Sequence, residues 1–437
     1  MKQIHVGLLG CGTVGTGVAR LLINNRDLLR ARVGAELNLK RVADIDTETD
    51  RGVAFDPGVL VSDAGQVLDD PEIQIVVEMI GGEGIAREFI QQAIQKGKHV
   101  VTANKALLAG KGNELIRAAR KAGVELAYEA SVGGCMPIIK TLRESLVGNR
   151  IHAMTGILNG TCNYILTKIT DEGSAFESAL AEAQAEGFAE ADPTLDVEGY
   201  DTAHKLAILN SLAYGMEINL QDIYVEGITG ITPEDIDFAR EFRYKVKLLA
   251  IGKDKGDRVE ARVHPTMIRD SNPLFNVSEN LNAVTISADA GGDMMLYGYG
   301  AGMMPTGSAV VGDIVDIARN ILTGGGSRLP LLSYQPDAIR KIPVMPVEEI
   351  ETNYYFRFAA ADRPGVLSTI AGILGKFGIS IASVHQKGRK IDGAVPIVML
   401  THRAREADVN QALAEINGLE AVSETPVLIR IEDENSD

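Results

Sequence analysis

The run "IHVGLLGCGTVGTGVA", residues 4–19, constrains the fold more than any other stretch of this chain. Residues 4–9 read as a buried strand. Gly10, Gly12 and Gly15 then fall in GxGxxG spacing, and an apolar-periodic helix follows over "GVARLLINNRDLL". In such a loop one glycine makes a tight turn. A second lets the backbone approach a pyrophosphate, and a third lets helix and strand pack closely, with the helix N-terminus facing the phosphates. The spacing alone also fits a glycine turn with no ligand. Its place between a first strand and a first helix favours a dinucleotide, held by Gly10, Gly12, Thr13, Val14 and Gly15. Cys11 suits the loop because it is small.

The same alternation continues. "ELNLKRVADID" reads as a strand ending in acid and "IQIVVEMI" as another. "IAREFIQQAIQKG" reads as a helix, "HVVTAN" as a strand and "KALLAGKGNELIRAARKAG" as a helix. Strands alternating with helices predict an α/β domain with a Rossmann-type, doubly wound parallel sheet over residues 1–134, completed by about 303–322. From 135 to 302 the pattern is mixed, as for an α+β catalytic and dimerisation domain. Residues 323–350 are rich in Gly and Pro and read as a linker. Residues 351–437 have their own strand and helix order, βαββαβ, which fits a small ferredoxin-like domain able to build its own core.

Charge and composition exclude several roles. The 437 residues carry a net charge of −16, which disfavours nucleic acid and anionic membranes as partners. No run approaches the roughly 18–20 apolar residues of a membrane span. The N-terminal strand pattern does not read as a signal peptide. Three cysteines lie far apart and seven histidines are scattered, so neither a disulfide framework nor a structural transition metal is expected. A cytoplasmic protein is expected.

Asp44 ends the second strand. A carboxylate there accepts hydrogen bonds from a ribose 2′-hydroxyl and repels a 2′-phosphate, which favours NAD over NADP. Lys40, Arg41 and Arg51 lie close in sequence and soften that choice. A carboxylate that only starts a turn fits the position too. Lys105 follows "TAN" where a strand gives way to a helix, the edge at which open α/β sheets place ligands. Thr102 and Asn104 suit helix capping or cofactor contact.

Residues 188–205 are denser in charge. Glu190, Asp192, Asp196, Glu198 and Asp201 precede His204 and Lys205, after which the chain turns apolar. From Tyr200 to Tyr214 the pattern is a helix buried on most sides, with Asp201, Lys205, Ile208 and Leu212 on one face. A lysine there needs a partner, and Asp201 one turn earlier supplies it. A structural ion pair and a catalytic lysine both fit this pattern. The methionines Met294, Met295, Met303 and Met304 read as core.

With "TANKALLA" (102–109), "YEASVGGCMPII" (128–139), "GILNGTCNYIL" (156–166), "EADPTLDVEGYDTAHK" (190–205) and "YGYGAGMMPTGSAVVGD" (297–313), the chain closely resembles the homoserine dehydrogenase family over about its first 320 residues. "ADRPGVLSTIAGILGKFGISI" (361–381) resembles an ACT-type regulatory domain. No kinase module precedes the glycine loop, so the likeness is to the monofunctional form. The resemblance implies NAD- or NADP-dependent interconversion of aspartate 4-semialdehyde and homoserine, on the branch leading to threonine, methionine and isoleucine. Lys205 matches the family's proposed general acid/base, and Lys105 lies by resemblance between nicotinamide and substrate. Glu190 and Asp201 suit the ammonium of the amino-acid substrate, Asp196 either binds it too or shapes the loop and caps the helix, and Gly302 is implied in binding the cofactor. A sodium-type monovalent cation site carries over onto Glu129 and the carbonyls of Val132, Gly134 and Met136; the stretch itself reads as a tight turn. The family often has a basic residue where this chain has Ile45, which again favours NAD.

In the tail, "DRPGVL" sets Arg363, Pro364, Gly365 and Val366 at a strand-to-helix turn whose N–H groups suit an amino-acid carboxylate. By resemblance the ligand is threonine or another end product. Ser380 stands where the family often has Asn, and a pure dimerisation module is the alternative. A homodimer or homotetramer is expected. Two other readings of the whole chain are another amino-acid oxidoreductase on the same fold and a non-catalytic sensor of dinucleotide and amino acid; the sensor has no use for Lys105, Lys205 and the acidic motif together.

Overall fold

The computed structural model describes residues 2–324, 328–386 and 393–432. The first part is built from β1 (Gln3–Leu9), α1 (Thr13–Asn24), α2 (Arg26–Val33), β2 (Glu36–Ala43), β3 (Leu60–Val61), α3 (Gly65–Leu68), β4 (Ile73–Glu78), α4 (Ile85–Gln95), β5 (His99–Thr102), α5 (Lys105–Ala122) and β6 (Leu126–Ala127). All six strands are parallel, in the order β3-β2-β1-β4-β5-β6, the doubly wound arrangement. The single helix expected after the glycine loop is two. Asn25 leaves helical geometry, at φ −102 and ψ 21, and α2 restarts at Arg26 to end on Gly34 in the left-handed region.

The middle of the chain forms α6 (Ile138–Lys140), β7 (Ile151–Ile157), α7 (Gly160–Glu172), α8 (Phe176–Ala185), α9 (Thr194–Val197), α10 (Tyr200–Tyr214), β8 (Tyr224–Val225), α11 (Pro233–Glu241), β9 (Tyr244–Asp254), β10 (Val259–Arg269), β11 (Leu281–Ala288), β12 (Gly292–Tyr299) and α12 (Met303–Thr323). The tail adds β13 (Glu351–Ala361), α13 (Val366–Lys376), β14 (Ile381–Gln386), β15 (Ala394–Thr401), β16 (Ala404–Arg405), α14 (Glu406–Asn417) and β17 (Val427–Ile431).

Internal contacts divide the chain into two units whose bounds are not those of the sequence reading. One holds residues 1–154, 201–221 and 281–342; the other holds 155–200, 222–280 and 343–437. In the first unit α12 returns to the parallel sheet. Its Val310, Val311, Ile314, Val315, Ile317 and Ala318 join Val6, Leu8, Val18 and Leu22 in one core. The methionines read as core are not: Met295 and Met304 are exposed, and Met294 and Met303 are half-buried. On β12 the alternation that exposes Met295 also exposes Tyr297 and Tyr299.

In the second unit β9 and β10 form a long antiparallel pair, and β8 runs parallel to β10. The tail has the expected ferredoxin-like order, β17-β13-β15-β14. One face of β13, with Tyr354, Phe356 and Phe358, packs on α13 and α14 in a core of the tail's own. The tail is nonetheless not self-contained. β17 pairs in parallel with β10, matching Thr266 to Arg430 and Met267 to Ile431. Buried Arg262 of β10 binds Glu432 at 2.8 Å, and buried Asp235 of α11 binds Arg357 of β13 at 2.6 Å. The linker is tied down as well. Tyr334 donates to the Ala213 carbonyl at 3.0 Å, Arg340 N to Gly215 O at 3.0 Å, and Val259 N to Pro343 O at 3.0 Å. Gly325, Gly326 and Ser327 of that stretch, and the end of the tail from 433, lie outside the described residues.

Candidate active site

β1 lies at the centre of the parallel sheet, and its carboxyl end is the switch point at which open α/β sheets take ligands. Gly10 has φ +91, and a Cβ there would fall 2.8 Å from the Met79 backbone. At Gly15 a Cβ would stand 2.1 Å from the Gly10 carbonyl oxygen, so only glycine lets α1 close on the loop. Gly12 is different: nothing lies within 4 Å of its missing Cβ. It leaves an open approach just where α1 begins at Thr13 and Val14, whose N–H groups have no acceptor within the helix. This cradle fits a pyrophosphate. Gly302, at φ +126, starts α12, whose Met303 carbonyl oxygen would stand 2.3 Å from a Cβ on Gly17 of α1.

Asp44 accepts a hydrogen bond from the Cys11 amide of the glycine loop, and its other oxygen accepts from Asp46 N at 2.9 Å. Arg51 reaches the same corner. Its Nε donates to the Cys11 carbonyl at 2.7 Å, and its guanidinium lies 3.4 Å from Asp44. The corner therefore holds a carboxylate and a cation together.

At the ends of β4 and β5 the sequence reading missed Glu78. This buried carboxylate accepts from Ile80 N at 2.7 Å and Gly81 N at 2.8 Å, and from the Thr102 hydroxyl at 2.6 Å. Thr102 Oγ1 accepts from Asn104 N at 3.0 Å. Asn104 caps α5 by accepting from Leu107 N at 3.1 Å and donates to the Gly82 carbonyl at 2.6 Å. The only signal in the sequence was an acid closing an otherwise apolar strand. Together these bonds fix the start of α5, where Lys105 is the first residue.

Lys105 Nζ lies 3.1 Å from Asp201 Oδ1, and Lys205 Nζ lies 2.7 Å from Asp201 Oδ2. Asp201 and Lys205 are one turn apart on α10, which buries thirteen of its fifteen residues. The Lys205 side chain is 9% exposed and that of Lys105 is 41% exposed. Burial lowers the pKa of the neighbouring His204, ahead of the opposing effect of Asp201. Two ammonium groups thus meet at one buried carboxylate. Such a centre can stabilise an oxyanion and deliver a proton to it.

The acidic stretch before α10 belongs to the second unit. Asp196 accepts from the Asn159 amide at 2.7 Å and the Thr161 hydroxyl at 3.3 Å, which ties the loop to the N-terminus of α7. Asp192 accepts from Thr194 N and Oγ1 at 3.1 and 2.6 Å and turns the chain into α9. Glu190 is exposed, and among the described residues its carboxylate has no hydrogen-bond or ion-pair partner.

Glu129 is buried at the start of α6. Its oxygens accept from Ile139 N at 2.9 Å and Lys140 N at 3.0 Å. Burial, reinforced by Asp313, pushes its pKa up to about 7. Gly133 and Gly134 turn the chain at positive φ, and the Met136 carbonyl accepts from Ile138 N. One buried carboxylate beside a turn of carbonyls fits a hard monovalent cation in donor type. Among the described residues no group of three or more His, Cys, Asp or Glu could hold a metal ion. In the tail, Arg363, Pro364, Gly365 and Val366 line a cavity of about 310 Å³ with Gln386 and Ile397, and Gly365 (φ +94) caps α13.

Residues 10–129 match the model of the homoserine dehydrogenase NAD-binding domain, 137–315 that of homoserine dehydrogenase, and 354–421 that of the ACT domain. Homoserine dehydrogenase of Pseudomonas aeruginosa is 44% identical, with both chains covered in full. That of Neisseria gonorrhoeae is 43% identical over 99% of each chain. The chain belongs to the homoserine dehydrogenase family. The crystal structure of a homoserine dehydrogenase from Thiobacillus denitrificans superimposes with a TM-score of 0.94 at 46% identity, over 99% of each chain. A hyperthermophilic archaeal homoserine dehydrogenase in complex with NADPH is 25% identical, with a TM-score of 0.61, over 75% of this chain and all of that one. The NAD-binding model begins at Gly10, the first glycine of the cradle. As a homoserine dehydrogenase the chain is a nicotinamide-dependent oxidoreductase. Among the described residues no helix is long and apolar enough to cross a membrane.

Proposed function

We propose that Lys205 is the proton donor and acceptor in the nicotinamide-linked interconversion of aspartate 4-semialdehyde and homoserine. A bound nicotinamide supplies or takes the hydride at the carbonyl carbon. In reduction, the oxygen gains charge as the carbonyl bond opens, and the Lys205 ammonium hydrogen-bonds to it and gives up a proton. In the reverse direction the neutral amine takes the proton back from the homoserine hydroxyl. Asp201 orients Lys205, and Lys105, on the same carboxylate, adds a second positive charge for the oxyanion. The observation that carries this reading is the sharing of one buried carboxylate by the two lysines. Glu190 takes the substrate ammonium, for which its unengaged carboxylate is suited; Asp196 acts beside it by holding the loop. Turnover of Lys205→Ala with homoserine, measured beside dinucleotide binding, tests the assignment. Near-normal turnover overturns it.

Asp44 favours NAD by repelling a 2′-phosphate. A second reading, NADP, has its own support in Arg51, whose guanidinium reaches the same corner. The fuller set we assign is a monovalent cation at Glu129 with the carbonyls of Val132, Gly134 and Met136, and an amino-acid effector, threonine first, at Arg363–Val366. We assign a cytoplasmic homodimer or homotetramer. Calorimetric titration of the full chain with the common amino acids tests the effector, and sedimentation tests the assembly.

A further inference from the structure

The acidic loop rests on a segment that the tail grips. Gly227, just after β8, lies so close to the loop that a Cβ would stand 2.4 Å from the Val197 carbonyl oxygen and 2.7 Å from Glu198 Cα. Ile228 N donates to the same Val197 carbonyl at 2.8 Å, and the Thr229 hydroxyl donates to Glu198 at 3.4 Å. From the other side, a Cβ on Gly199 would contact Val225, Val263 and the Glu226 carbonyl at 3.1–3.4 Å. Residues 225–229 and 197–199 thus pack closely, backbone on backbone at Gly227 and against the Val225 and Val263 side chains at Gly199.

Arg430 of β17 fixes that segment. Its guanidinium donates to Glu226 at 2.7 Å and to the Tyr224 hydroxyl at 3.2 Å, and it stacks 4.9 Å from the Tyr224 ring centre. The Tyr224 hydroxyl donates to Glu226 at 2.9 Å. The same guanidinium binds buried Glu406 at the start of α14, which also accepts from the Tyr354 hydroxyl at 2.8 Å. Arg430 is buried, so it depends on both carboxylates for compensation; Glu406 is buried with it and Glu226 is half-exposed.

We propose that Arg430 is a positioning residue for the substrate loop: through Glu226 and Gly227 the tail sets where residues 190–199 stand, and so sets substrate affinity. The inference rests on the reading that Glu190 contacts the substrate. It gives the tail a part in the reaction of the unregulated enzyme, and the Arg430–Glu226 pair is the joint through which a change in the tail reaches the loop.

The test uses the full chain and separates the two Michaelis constants. Glu226→Gln weakens the joint at a half-exposed site, and Gly227→Ala pushes directly on Val197. Both are expected to raise KM for homoserine by about 5-fold or more, the scale of typical coupling between sites, and to leave KM for the dinucleotide unchanged. Arg430→Lys, which keeps the charge, should show a smaller shift than Arg430→Met. A merely structural role would lower the active fraction and leave both constants alone. Constants that stay put, or move together, overturn the proposal. Glu190→Gln is the control: if it leaves KM for homoserine unchanged, the substrate reading fails and the inference with it. If it raises that KM while Glu226→Gln and Gly227→Ala do not, the inference alone fails.

Discussion

Lys105 and Lys205, a hundred residues apart, take the two oxygens of a single carboxylate, Asp201. Only the half of this relationship within α10 follows from helical spacing. The other half depends on β5 ending where α10 passes, inside the same unit. The lysines are therefore not interchangeable. Lys205 is enclosed and Lys105 is open.

Replacing each lysine should separate their work. Lys205→Ala is expected to lower turnover by roughly 10²–10⁴-fold, the usual contribution of a general acid, with dinucleotide binding retained. Lys105→Ala should lower turnover while leaving the proton donor in place, so its pH profile should keep the wild-type shape. Steady-state kinetics across pH reads both.

Asp201→Asn should cost the enzyme both turnover and stability. It removes the one carboxylate both ammonium groups share, and Lys205 stays buried. Breaking a buried ion pair typically costs about 3–5 kcal/mol. Thermal unfolding should therefore show lower stability alongside the loss of turnover. Unchanged stability would show that Asp201 is not the main compensation for Lys205.

Cofactor choice should turn on one corner. Asp44→Ser should move the NAD/NADP ratio toward NADP, because it removes the repulsion and leaves Arg51. Arg51→Ala should move it the other way. A wild type that strongly prefers NADP would sink the reading of Asp44, and Arg51 would then be the phosphate partner.

Cutting the chain near Pro343 should not leave a folded dehydrogenase. Residues 351–437 have a complete strand and helix order and a core of their own, yet they also complete the rest of the second unit. The cut strips β10 of its partner β17, Asp235 of Arg357, and Arg262 of Glu432. At about 3–5 kcal/mol for each broken buried pair, the loss rivals the whole stability of a typical domain, about 5–15 kcal/mol. Soluble expression and thermal melting of the truncated chain test this, and a melting temperature like the full chain's would refute it.

Acid should act on the charge cluster around Arg262. Burial opposes the charge on Glu260, but Arg262, Lys253 and Lys255 outweigh it and lower its pKa to about 2, from an ordinary 4.5. A carboxylate depressed in this way contributes stability that is fully present above about pH 4.5. That contribution is lost as pH falls toward 2. Glu260→Gln should therefore be less stable than wild type at pH 7, with a gap that narrows below pH 4.5. Denaturant unfolding at several pH values measures it.

The periodic parts of this fold were legible in the sequence. The strands and helices around the glycine loop, the order of the tail and the Asp201–Lys205 spacing all repeat every two, three or four residues. The features that were not legible join distant segments. Glu78 with Thr102, Lys105 with Asp201, and Arg430 with Glu226 each depend on topology, and none leaves a local pattern. Asn25 broke a helix whose apolar spacing ran straight through it. The Gly- and Pro-rich stretch reads as a linker, and its composition says nothing of the carbonyls that Tyr334 and Arg340 N reach.

The return of α12 to the first sheet has a consequence for how the chain is made. Val6 and Leu8 of β1 share their core with Val310, Ile314 and Ala318. A ribosome adding about 5–20 residues per second needs roughly 10–40 seconds after β6 before those covering residues exist. Through that interval the face of the sheet on which Val18 and Leu22 of α1 already pack lacks the part of its cover that α12 supplies. The chain's yield in a cell is then set by whatever shields that face until translation reaches residue 318, so slowing elongation between β6 and α12 should cost soluble protein without altering any residue.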